Sequence, residues 1–178
     1  MSIAASEGVR CALLGAAVFL LTLTAFALFV AGRVDASANA SASQLERAMA
    51  TWLFERSLRR APESHAPPLP PSREGIAQYD QLCRACHGIP GGPLGPLGHG
   101  LNPPPPDLSR PQSQARTDAQ LYFVISRGVR MSGMPAFTPT LTEQEMWQQV
   151  AFVRYLPRLS PEERQMLSGN GELPGGGH

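Results

Sequence analysis

Hydrophobic and polar positions divide this chain sharply. From Cys11 to Gly32 there is no charged residue, only CALLGAAVFLLTLTAFALFVAG, with Arg10 and Arg33 at its flanks. At about 1.5 Å per residue this run reaches about 33 Å, enough for a hydrocarbon core of roughly 30 Å. A buried helix of a soluble protein would carry a polar stripe, and here only Thr22 and Thr24 are polar. Helix periodicity returns over residues 43–60, where Leu45, Met49, Trp52 and Leu53 fall at i, i+4, i+7 and i+8 on one face. Farther on, Ser72 opens a helical pattern through Cys86, with Ile76, Tyr79 and Leu82/Cys83 on one face. Thr117 with Gln120 predicts a capping box, and Gly128 a stop. Thr142 with Glu145 predicts another, ahead of the apolar set Trp147, Val150, Ala151, Phe152 and Val153, closed by Pro157. Ser160-Pro161-Glu162-Glu163 starts a last short helix that Gly169 stops. No alternating strand pattern and no internal repeat are present.

The predicted organisation is a cytoplasmic tail (1–10), a transmembrane anchor (11–32) and a tether (33–71) that contains the amphipathic helix 43–60. A helical domain (72–168) and a flexible tail (169–178) follow. A cleaved secretory signal is the rival for the first segment, since Ala36-Ser37-Ala38 and Ala38-Asn39-Ala40 fit a cleavage site after Ala38 or Ala40. The apolar run exceeds the usual 7–15-residue signal core, which favours an uncleaved anchor. Either way, the remainder is exported. Helix 43–60 is net basic and reads two ways: packed on its own domain, or lying on headgroups or a partner subunit with Trp52 at the interface. Five prolines in residues 61–71 make a semi-rigid spacer.

Composition refines this picture. The mean hydropathy of −0.13 is that of an ordinary soluble protein, but it averages an anchor with a polar remainder. Fifteen basic residues, all Arg, against fourteen acidic ones argue against a polyanionic partner such as nucleic acid. The absence of Lys excludes Schiff-base chemistry and a P-loop mechanism. Residues 88–111 include fourteen Gly or Pro and read as loop, with Pro103–Pro106 in polyproline conformation. A domain of about 100 residues with so few apolar side chains needs a staple or cofactor to complete its core.

Cys83-Arg84-Ala85-Cys86-His87 supplies one. C-x-x-C-H is the pattern of covalent c-type haem attachment. Two thiols one helical turn apart reach the two vinyl groups on a porphyrin edge, and His87 becomes the proximal iron ligand. A structural zinc needs four ligands, and the third cysteine, Cys11, lies across the membrane. A thioredoxin-like pair lacks its βαβ context, and a Cys83–Cys86 disulfide is the remaining rival. For the sixth ligand, Met134 in Gly133-Met134-Pro135-Ala136-Phe137 is favoured over Met131, because the following proline stiffens the loop. Met146 fits a core position, His99 a solvent-exposed loop, and His65 and His178 have no assigned role.

In these motifs the sequence resembles the single-haem class I c-type cytochromes. The resemblance covers 72–157, about half the chain. It rests on Gly75-x-x-x-Tyr79 before Cys-Arg-Ala-Cys-His-Gly, on Pro-Pro-Pro-Pro-Asp-Leu, on Ile-Ser-Arg-Gly-Val-Arg before Gly-Met-Pro-Ala-Phe, and on Val-Ala-Phe-Val-Arg-Tyr-Leu. It implies an all-α fold of short helices around one covalent haem c, with the first and last helices crossing at Gly75 and Phe152 and Tyr79 nearby. It also implies a proline carbonyl accepting from His87 Nδ1, with Pro93 the first candidate and Pro90 and Pro96 open. The expected function is one-electron transfer on the periplasmic side of a bacterial cytoplasmic membrane. The partners would be a quinol–cytochrome c oxidoreductase, a dehydrogenase, a terminal oxidase or a photosynthetic reaction centre. The alternatives are a fixed subunit of a larger electron-transfer complex and a haem enzyme or gas sensor. Residues 72–178 carry nine Arg and nine acidic residues, so strong electrostatic steering of a free shuttle is not expected.

Overall fold

The computed structural model describes residues 2–33, 35, 37, 39–62 and 72–168, with the side chains of 2–7 left out. Ala38, one of the two predicted cleavage points, most of the proline spacer with His65, and the 169–178 tail with His178 fall outside that set. The chain divides into two units, residues 1–40 and 41–178.

The first unit is one helix, α1 (Ser2–Ala31). Its stretch Gly8–Ala31 is long and apolar enough to cross a membrane. The helix begins at Ser2, before the charge-free run, and carries Arg10 in its third turn. Thr22 Oγ1 donates to Val18 O at 3.0 Å and to Phe19 O at 2.8 Å, and Thr24 Oγ1 to Leu20 O at 2.8 Å. Both polar side chains in the run are therefore satisfied within the helix, which lipid demands.

The second unit is mostly helical. Its elements are α2 (Gln44–Leu58), α3 (Arg73–Leu82), α4 (Arg84–His87), α5 (Pro111–Gln114), α6 (Asp118–Arg127), α7 (Glu143–Tyr155) and α8 (Pro161–Leu167). Short 3₁₀ turns occupy Gly98–Gly100 and Leu156–Arg158. Among the described residues the sole β-type pairing is an isolated bridge between Val129 and Met134. The caps explain the boundaries. Ser43, Thr117, Thr142 and Ser160 each accept from the backbone three residues on, while Glu46, Gln120, Glu145 and Glu163 reach back. Ser72 caps α3 through Gly75 N at 3.1 Å.

The core is built on α7, which buries Met146, Trp147, Gln149, Val150, Phe152 and Val153 against α3 and α6. A Cβ placed on Gly75 would lie 3.3 Å from Phe152 Cβ, so α3 and α7 touch where a larger residue would force them apart. The Tyr79 and Phe152 rings meet at 5.4 Å, and Tyr122 stacks on Trp147 at 4.4 Å. Arg154 binds Asp118 Oδ1 at 2.7 Å and Gln114 O at 2.5 Å, fastening α7 to the α5–α6 corner. Met146 lies in the core as its position predicts.

Helix α2 departs from its pattern. Leu45, Met49, Trp52 and Leu53, the stripe its periodicity marks, are 71%, 57%, 57% and 54% exposed. It docks on its own unit through its other side. Leu58 is buried, Phe54 is half-buried, and Arg116 forms a forked ion pair with Glu55 at 2.5 and 2.8 Å. Cys83 also splits the helix expected from Ser72 to Cys86, closing α3 with φ −110° and opening α4.

Candidate functional site

The site forms where α3 turns into α4. Cys83 N donates to Tyr79 O at 2.9 Å and His87 N to Cys83 O at 2.9 Å, so Cys83, Cys86 and His87 sit on one helical turn. Both cysteines are free and half-buried. The following loop folds back over this turn: Gly95 N reaches Cys86 O at 3.2 Å and Leu97 N reaches Ala85 O at 2.9 Å. A Cβ on Gly95 would strike the carbonyls of Arg84 and Ala85, so only glycine permits this approach. Tyr79 Oη donates to Gly88 O at 3.0 Å and locks the end of the turn to α3.

His87 Nδ1 lies 2.8 Å from Pro106 O. That corrects the expectation of Pro93. The Pro93 carbonyl packs against Gly88 Cα on the loop's return, and the chain brings the end of the proline run to the imidazole instead. Asp107 fixes that carbonyl. Its Oδ1 accepts from Ser109 N at 2.8 Å and Ser109 Oγ at 2.6 Å, its Oδ2 from Gly91 N at 3.1 Å and Arg110 Nε at 3.3 Å. Its own carbonyl accepts from Ser113 Oγ at 2.9 Å. Sequence reasoning gave Asp107 no role; its one signal was an Asx-turn spacing to Ser109.

Electrostatics follow from this packing. Burial holds the His87 imidazole below its usual range, against the opposing pulls of the Pro106 carbonyl and the Asp107 carboxylate. The ring is neutral at pH 7. With Nδ1 carrying its proton toward Pro106, Nε2 keeps a lone pair for a metal. Burial pushes the Cys83 thiol up to about 12, with the Cys86 sulfur adding to the rise. Such a thiol is a poor thiolate ligand for zinc, and the described residues hold no cluster of three His, Cys, Asp or Glu for a metal.

The downstream loop separates the two methionines. Val129 N donates to Met134 O at 3.1 Å and Met134 N to Ser132 Oγ at 3.3 Å, a tight turn that pins the Met134 backbone. The Met134 side chain packs on the Phe137, Leu141 and Met146 cluster, which Leu82, the neighbour of Cys83, also joins. Met131, at φ +61°, is 89% exposed. His99 is also exposed. Two free thiols on one turn, an imidazole with Nε2 uncommitted and a thioether on the adjoining cluster together fit the donor set of a covalently bound haem.

A family model described as cytochrome c oxidase, cbb3-type, subunit III matches residues 70–153. The chain carries a c-type cytochrome domain. Its cofactor is covalently bound haem c, and its apolar N-terminal helix fits a membrane-anchored cytochrome of this kind. No curated protein matches the chain. The matched span begins two residues ahead of Ser72, the cap of α3, and ends within α7.

Proposed function

We propose that this cytochrome is a one-electron carrier tethered to the bacterial cytoplasmic membrane on its periplasmic side, with His87 and Met134 as axial ligands and Cys83 and Cys86 as attachment points. A bound haem would supply one-electron redox chemistry at its iron. The chain's residues set the terms. Pro106 O orients His87 and enriches its imidazole in electron density, and Asp107 holds that carbonyl in place. Met134 offers a neutral, soft sulfur that favours the reduced state and raises the potential. Tyr79, Phe152 and Leu156, all almost fully buried, keep water from the interior behind the Cys83 turn.

The observation that carries the reading is the division of labour between the methionines: Met134 packs inward on the Phe137, Leu141 and Met146 cluster that Leu82 also joins, and Met131 points to solvent. With His87 and Met134 both holding the iron, the haem would keep no free position for O₂, CO or peroxide, which separates a carrier from a haem enzyme or gas sensor. A potentiometric titration of the full chain tests this. A carrier gives a reversible one-electron curve and no spectral change when CO meets the reduced protein; rapid CO binding contradicts it.

A second reading is a fixed subunit of a terminal oxidase, favoured by the family description and by the balanced charge of residues 72–178. Retention in a stoichiometric complex through mild detergent and high salt supports the subunit. Release as a single chain supports the carrier.

A further inference from the structure

Helix α2 has two opposite faces with different fates. Leu58, Phe54 and Glu55 hold it to the haem-binding unit. At 3.6 residues per turn, Leu45, Met49, Trp52 and Leu53 lie within about 100° of one another, on the side of the helix away from Leu58. Arg56, Arg59 and Arg60 are exposed at the C-terminal end of this same side, with the Arg56 guanidinium 5.8 Å from the Trp52 ring. The helix's two acids are engaged elsewhere: Glu46 accepts from Ser43 N, and Glu55 is paired with Arg116. The exposed face therefore combines an unpartnered apolar stripe with net positive charge, Glu55 offsetting only part of Arg59.

Chain length narrows what can cover it. α1 ends at Ala31 and α2 begins at Gln44. The joining segment, 32–43, spans at most about 43 Å when fully extended. α2 therefore stays within reach of the bilayer in which α1 is anchored, at an effective concentration no soluble partner matches. Aliphatic residues beside a tryptophan and arginines suit a helix lying in the headgroup region of an anionic leaflet.

We propose that α2 is an interfacial helix that seats Leu45, Met49, Trp52 and Leu53 in a bilayer surface bearing anionic headgroups. Because Leu58 and the Glu55–Arg116 pair fasten α2 to the haem-binding unit, its seating fixes how that unit is turned toward the membrane. The inference rests on membrane anchoring by α1 and not on the identity of the iron ligands.

The test uses the full-length ferrous holoprotein in a Cys11→Ser background, with a nitroxide on Met49→Cys or Thr51→Cys. Thr51 lies about 160° around the helix from Met49. The protein is placed in nanodiscs of phosphatidylcholine with or without phosphatidylglycerol. Recovery of the chain in the discs reports anchoring by α1 separately. An unchanged haem spectrum shows that each variant is folded. In anionic discs the Met49 label should relax strongly with O₂ and weakly with an aqueous nickel chelate, and Thr51 should show the reverse. The contrast should shrink in phosphatidylcholine alone and in an Arg56→Gln/Arg59→Gln/Arg60→Gln variant. Equal nickel access at Met49 and Thr51 in anionic discs overturns the proposal. So does shielding of Met49 from both reagents, which marks a protein-covered face, and so does a contrast indifferent to lipid charge.

Discussion

Replacing Asp107 with Asn tests the argument that one carboxylate holds the haem loop in register. The carboxylate accepts four hydrogen bonds, from Ser109 N, Ser109 Oγ, Gly91 N and Arg110 Nε, at 2.6–3.3 Å. Asn keeps the shape and one carbonyl oxygen, so it can still serve Ser109. Its amide NH₂ then faces Gly91 N and Arg110, two donors with no acceptor. Hydrogen bonds to charged groups contribute about 1.5–3 kcal/mol each, but Asp107 is one-fifth exposed and water recovers part of the loss. The expected destabilisation is about 1–3 kcal/mol at pH 7, read as a lower urea midpoint with unchanged slope. The sign of its pH dependence follows from the same contacts. Burial alone would raise the Asp107 pKa, but the Ser109 hydroxyl and N–H, the Gly91 N–H and Arg110 outweigh it and hold the group below its usual value. A depressed folded-state pKa contributes stability above the unfolded value of about 3.9, and that contribution is lost as pH falls through the folded value. The gap between wild type and Asp107→Asn should be flat above about pH 5 and close below about pH 4. The haem potential of the variant should also rise, because a loosened Pro106 carbonyl enriches His87 less and a nearby negative charge is gone. A gap that persists undiminished to about pH 2.5, or no gap at pH 7, refutes the reasoning.

Other expectations follow from single contacts. Gly75→Val should cost about 1–3 kcal/mol by wedging α3 from Phe152, seen as a lower unfolding midpoint. Leu58→Ala should cost about 2–4 kcal/mol and speed amide exchange across residues 44–58, because Leu58 is the buried anchor of α2. Arg116→Met removes the Glu55 partner; both side chains are about one-third exposed, so the loss should be about 0.5 kcal/mol and smaller in high salt. The Arg116 guanidinium holds the Glu55 carboxyl below its usual range, so this pair's contribution should fade as pH drops through the folded Glu55 pKa.

Local chemistry was the most legible part of the chain. The boxes Thr117–Gln120 and Thr142–Glu145 and the Ser160 start mark real helix ends, because a cap is satisfied within four residues whatever the tertiary context. The Gly75, Tyr79 and Phe152 contact was legible only through family resemblance. Pro106 was not legible: which of many prolines reaches His87 depends on the path of a 19-residue excursion, and no local rule sets that path. α2 misled in an instructive way. Its apolar periodicity marks a face but not what covers it, and its docking relies on Glu55 and Arg116, 61 residues apart. α5 has a signal, Pro111 at its first position, hidden at the end of a Pro-rich run.

The central claim is that His87 and Met134 hold the iron from its two sides. The near-infrared spectrum of the oxidised full-length protein tests it most directly. A methionine–iron charge-transfer band should be present in the wild type and in Met131→Ala and absent from Met134→Ala. A band that survives Met134→Ala, or disappears in Met131→Ala, contradicts the account.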